Sequence, residues 1–163
     1  VAHYAATAVA QISKESDLKL QQLERAFKTD PSAQNLNEYC DFLGEYLCSG
    51  LAEGRVAQIQ RQQYARLLAR RCEREDTLEL RIRYATALAD VGQIDEAQAV
   101  TDQLVIDVPE EQEVWMLCLR LAVMRRDGDE VHRVIDAIDK QHVYLSADNR
   151  EKLAFWRDGE EAR

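Results

Sequence analysis

Apolar residues recur along this chain at three- and four-residue steps, the period of one helix face. Leu20, Leu23, Ala26 and Phe27 form one such stripe, and Leu36, Tyr39, Cys40, Leu43 and Leu47 a second. Val56, Ile59, Tyr64, Leu67, Leu68 and Cys72 form a third. Leu80, Tyr84, Ala85 and Leu88 make a fourth, followed by Ala97, Val100, Leu104 and Val105. The pattern predicts a helix pair over Val1–Ile12 and Ser16–Lys28, then helices over Ser32–Ser49, from Leu51 or Ala52 to Cys72, and over Leu78–Val91. Asp95 is a candidate N-cap for the next helix. Further helices are predicted over Gln112–Arg126, on to Lys140, and over Ala147–Arg157 with Ser146 as cap. Thr29-Asp30-Pro31, Ser49-Gly50, Gly92 and Pro109 are the expected stops. The tail, residues 158–163, is expected to be disordered.

Only 6 Gly and 2 Pro occur among 163 residues, so the turn clusters that an antiparallel sheet needs are absent. The fold class is therefore all-α.

A shift of 34 residues lays part of the chain on itself: Leu80 falls on Val114, Ala85 on Leu119, Leu88 on Ala122, Ala97 on Val131, Thr101 on Ile135 and Leu104 on Ile138. The unit Leu78–Pro109, with Tyr84-Ala85, Gly92, Ala97 and Pro109 at their spacings, resembles the tetratricopeptide repeat. Arg81 and Thr101 depart from that pattern, where a large apolar residue and an aromatic are usual. The next unit supplies Trp115, but its turn glycine, Gly128, comes two residues late and no Pro closes it. The resemblance implies a right-handed α-α superhelix, a solenoid of about four helix pairs with a C-terminal capping helix, as a single domain over residues 1–157. It also implies a non-catalytic module whose groove, lined by the first helix of each pair, takes a protein partner.

The groove positions left over from the core are Glu38, Phe42, Glu45 and Tyr46 in the first of these helices, then Glu79, Ile82, Thr86 and Asp90, then Glu113, Met116, Arg120, Val123 and Met124. The competing reading is that these side chains pack on the neighbouring second helix. Some relatives grip a C-terminal carboxylate with Lys and Asn, and that clamp is missing here. The acidic groove positions favour a partner bearing Lys or Arg.

Charge divides the chain. The formal net charge is −9, which argues against general nucleic-acid binding. From Arg55 to Arg74 there are six Arg and one Glu, whereas Tyr84 to Leu119 holds eight acidic residues and no Lys or Arg. Arg55, Arg61, Arg66 and Arg70 are a candidate basic stripe for a partner, or simply a solvated face. A regulatory or nucleic-acid-binding module using Arg55–Arg74 is the alternative reading. Charge reversal at Arg61, Arg66 and Arg70, or truncation of Phe42 and Tyr46, is expected to weaken partner capture.

Candidate chemistry is sparse. His3, His132 and His142 lack metal-ligand spacing, and no nucleotide or hydrolase motif occurs. No cofactor and no metal are expected. Cys40, Cys48, Cys72 and Cys118 read as buried small apolar residues of a reducing, cytoplasmic compartment. Cys40 and Cys48 lie about 12 Å apart along a helix, too far for a disulfide. No run approaches the roughly 18 apolar residues of a membrane span. The chain opens without Met inside a helix-like segment, which fits an excised domain whose anchor lies elsewhere.

Residues 39–68 carry a narrower resemblance, through Tyr46, Leu47, Ser49-Gly50-Leu51, Gly54-Arg55, Gln60-Arg61 and Tyr64. They resemble the cytosolic repeat domain of the PelE family, inner-membrane tetratricopeptide-repeat proteins of Pel exopolysaccharide secretion. That resemblance implies a bacterial scaffold, tethered to the inner membrane, whose partners are other components of the synthase complex.

Overall fold

Eight helices and no strand are present in the computed structural model, which describes residues 2–161 and the side chains of residues 11–157. The helices are α1 (Ala2–Thr29), α2 (Ala33–Cys48), α3 (Gly54–Cys72), α4 (Leu78–Asp90), α5 (Ile94–Asp107), α6 (Gln112–Arg125), α7 (Gly128–Lys140) and α8 (Ala147–Glu161). The all-α expectation holds, and the helices pack on their neighbours in sequence: α1 on α2 and α2 on α3, then α4 through α8 in turn. The chain divides into two compact units, residues 1–75 and 76–163. No helix of the described residues is long and apolar enough to cross a membrane.

Helix starts and stops act through simple chemistry. The Ser32 hydroxyl accepts from the Asn35 amide at the predicted start of α2, and Thr77, which the sequence reading does not single out, does the same for Leu80. Each satisfies one of the orphan amides at a helix start. Ser146 caps α8 in the same way through Asn149. Gly92 sits at φ +79 just after α4, and the Gln93 amide donates back to the Leu88 carbonyl.

In the first unit, α1 is one helix of 28 residues and not the expected pair. The polar run Ser13–Ser16 contains no Gly or Pro, and Gln11 hydrogen-bonds Glu15 one turn on, so nothing there stops a helix. Side chains of residues 1–10 in the first predicted helix lie outside the described residues. The core gathers Leu36, Tyr39, Cys40, Leu43, Leu67 and Leu68. α2 and α3 approach closely at Gly44, where an added Cβ would stand 2.8 Å from the Tyr64 hydroxyl oxygen. Tyr64 on α3 therefore faces α2 at this point. The buried side of α3 runs through Ala57, Ala65, Leu68 and Arg71, and Val56 and Ile59, expected in the buried stripe, are 60% and 55% exposed. Arg71 reaches Asp41 across the same interface at 2.6 Å. Cys48, expected to be buried, is exposed and Cys72 is half-buried, whereas Cys40 and Cys118 are buried; none of the four forms a disulfide.

In the second unit the 34-residue period is visible in the helices themselves. α4 and α6 begin 34 residues apart, at 78 and 112, and so do α5 and α7, at 94 and 128. Ala85, Leu88, Ala97, Leu104, Val114, Leu117 and Leu121 form one core cluster. Trp115, Leu119, Val131, Val134, Ile135 and Ile138 form the next, closed by Leu145 and Leu153. The Trp115 indole donates to the Pro109 carbonyl at 2.7 Å, so the aromatic also fixes the α5–α6 turn. Thr101, which departs from the repeat pattern, is fully buried and donates to the Ala97 carbonyl at 2.7 Å. Asp95 lies in the first turn of α5 and not at its N-cap, which is Gln93. The α6–α7 turn is made by Arg126 at φ +57; Gly128, expected there, opens α7 instead, behind the cap Asp127. The backbone of residues 158–161 continues α8, and residues 162 and 163 of the expected disordered tail lie outside the described residues.

Candidate functional site

The second unit carries an open cleft of about 530 Å³ lined by α4, α6 and α8. Three sets of contacts hold them in place. Arg120 on α6 pairs with Asp90 at the end of α4 at 2.5 Å. The Gln112 side-chain oxygen accepts from the Ser146 amide at 2.8 Å and from the Asn149 side chain at 3.1 Å, tying α6 to the start of α8. Leu153 and Trp156 pack on the α6–α7 core and hold α8 against it.

The apolar part of the cleft is Ile82, Met116, Leu117, Leu119, Val123 and Trp156; its polar part is Thr86, Glu113, Arg120, Asn149 and Lys152. Its walls are helices whose backbone groups are already bonded within the helix, so recognition there falls to side chains. Two features, the flexible Met116 thioether and the half-buried Trp156 ring, suit an apolar side chain from outside. The second residue of each lining helix is an acid: Glu79, Glu113 and Asp148.

The predicted groove positions divide between the two units. Ile82, Thr86, Met116 and Arg120 line the cleft together, with Glu113 and Val123. Asp90 holds Arg120, Glu79 stands exposed at 3.9 Å from Arg83, and Met124 is exposed outside the lining. In the first unit α1 covers part of the expected groove face, at Phe42 and Tyr46. Tyr46 is buried and its hydroxyl donates to the Asp17 carboxylate, while the Lys19 ammonium lies 4.4 Å from the Phe42 ring centroid. Burial first, then the bond to Asp17 and its charge, push the Tyr46 phenol up to about 12. Phe42 and Tyr46 are thus packing residues, and truncating them would act on the fold. Glu38 and Glu45 remain exposed on α2, Glu38 accepting from Gln34 at 2.9 Å.

All four arginines of the candidate stripe are exposed. At roughly 100° per residue, Arg55, Arg66 and Arg70 fall within a sector of about 60°, but Arg61 stands roughly 120–180° away. Arg70 also lies over the Phe27 ring of α1, 5.8 Å from its centroid. The four therefore do not form a single stripe.

Sequence reasoning misses Asn149, Lys152 and the cleft-facing side of Trp156, because α8 reads as a cap. The repeat period holds the signal: the Glu79-to-Glu113 step, continued once, arrives beside Asp148. Among the described residues, no group of three or more His, Cys, Asp or Glu could hold a metal ion. Cys118 is buried, and burial, with Asp102 and Glu130 nearby, pushes its thiol up to about 12, away from nucleophilic use.

Compared with family models, curated proteins and solved structures, the chain matches none.

Proposed function

We propose that this chain is a non-catalytic helical-repeat module that binds a protein partner in the cleft of its second unit. The observation that carries this reading is the convergence of Ile82, Thr86, Met116, Arg120 and Val123 on one open cleft. The repeat period places them on one side, and Ile82, Met116 and Val123 rest partly on the core with the remainder of each side chain facing the cleft. A helical stack offers such a surface because each pair buries one face on its neighbours and leaves the other free. The resemblance of Leu78–Lys140 to tetratricopeptide repeats supports the same reading.

The finer proposal follows the resemblance of residues 39–68 to the PelE family. On it, the module helps assemble a Pel exopolysaccharide synthase complex at the cytoplasmic face of a bacterial inner membrane. The partners would be other components of that complex.

The test is capture of those components by the full-length gene product carrying Thr86→Arg together with Val123→Arg. The proposal expects loss of capture with an unchanged helical spectrum. Capture by the double variant at the level of the parent protein would contradict it.

A further inference from the structure

The formal net charge of −9 belongs entirely to the unit that carries the cleft. Residues 1–75 hold 10 acidic and 10 basic residues, whereas residues 76–163 hold 20 acidic and 11 basic. Inside the cleft, Arg120 is matched by Asp90 at 2.5 Å, and Lys152 has Asp148 and Glu151 beside it on α8. Acids in the first turn also stabilise a helix by opposing its dipole, and α5 and α7 carry them too. What distinguishes α6 and α8 is where their acids stand: Glu113 lines the cleft itself, and Asp148 and Glu151 line an adjoining hollow that shares Lys152 and Trp156 with it.

The walls offer side chains and no free strand edge. A segment with its own backbone bonds satisfied therefore fits better than an extended one. We infer that the occupant of the α4/α6/α8 cleft is an amphipathic helix of the partner whose polar face carries Lys and Arg. This rests on the reading of the cleft as a protein-binding site and adds the chemistry of what it binds. The helix sets an apolar stripe on Ile82, Met116, Val123 and Trp156. Its cations meet Glu113 and Asp148 at the rim, and the field of the acidic unit draws it in.

Three labelled helical peptides of about five turns test this. They share one leucine stripe and carry lysine and arginine, glutamine, or glutamate at the polar positions. Anisotropy titration of the full chain reads their affinities. The basic peptide is expected to bind at least about tenfold tighter than the glutamate peptide, with the gap closing as salt rises. The charge-neutral Met116→Gln and Val123→Gln are expected to weaken it about tenfold, with circular dichroism reporting the fold. Glu113→Lys, at an exposed position, is expected to weaken the basic peptide and not the glutamine peptide. Equal affinity for all three peptides would overturn the charge assignment and leave the cleft as a protein site. Basic-peptide binding untouched by Met116→Gln, Val123→Gln and Glu113→Lys would overturn the location. Failure of every peptide to bind would count against the inference and the proposed function together.

Discussion

Arg120 on α6 reaches Asp90 at the end of α4, and the two residues stand 30 positions apart. The same separation recurs at Arg125–Asp95, 2.8 Å, and in the first unit at Arg71–Asp41, 2.6 Å. An arginine on one helix thus returns to an aspartate about one repeat earlier. The three pairs differ in burial, and burial decides their worth. The Arg120 and Asp90 side chains are 42% and 41% exposed, so the pair contributes about 0.2–1 kcal/mol and mainly orients the cleft.

Arg71 is the contrasting case. Its side chain is 10% exposed, and its Nε has no hydrogen-bond partner among the described residues. Asp41→Ala would leave a buried guanidinium without its carboxylate and is expected to cost about 1–3 kcal/mol. Asp90→Ala is expected to cost under about 1 kcal/mol. Urea denaturation of the two variants checks the order, and an equal or reversed order would contradict it.

The close approach at Gly44 gives a second prediction. Gly44→Ala places a Cβ 2.8 Å from the Tyr64 hydroxyl oxygen and 3.0 Å from its ring. Overpacking costs about 1–3 kcal/mol, and alanine's helix propensity returns about 1. The expected net loss is about 1 kcal/mol, seen as a lower urea midpoint. A stabilised variant would show that α2 and α3 are not packed this closely.

Alkaline pH is expected to loosen both units. The Tyr46 phenol moves from 10.0 up to about 12, and the Cys118 thiol from 9.0 up to about 12. Both folded-state values lie above the unfolded ones, so the stability they contribute is complete below the unfolded pKa. It is lost as pH rises from there toward about 12. Stability should fall above about pH 9 for the second unit, and Cys118→Ala should flatten that fall. A Cys118→Ala profile identical in slope to the parent's between pH 9 and 12 would contradict the assignment.

How much of this is legible in sequence depends on the element. The second unit is readable because its stops are chemically explicit: Gly92 takes a positive φ just past α4, and Pro109 follows the end of α5. The 34-residue period by itself places Ile82, Thr86, Met116 and Arg120 on one side. The first unit is harder. Ser13–Ser16 looks like a break but contains no residue that forbids a helix. Val56 and Ile59 look like core residues, yet α3 turns Ala57, Ala65 and Leu68 inward and sets Tyr64 against Gly44, a tertiary arrangement that periodicity does not encode. Phe42 and Tyr46 look like groove residues for a related reason, since nothing in α2 announces that α1 lies over them. Lys152 and Asn149 escape notice because a terminal helix suggests one role, closing the core, when it also forms a wall.

The central claim is that the face built by α4, α6 and α8 is where a protein partner docks. Photo-crosslinking from single benzophenone side chains tests it most directly, with probes at Thr86, Val123 and Lys152 in the cleft and at Gln62 and Gln98 elsewhere. The account predicts that the three cleft probes join one and the same partner segment, a helix bearing Lys and Arg, and that the two outside probes do not. Crosslinks to that partner from Gln62 or Gln98, with none from the cleft, would contradict it.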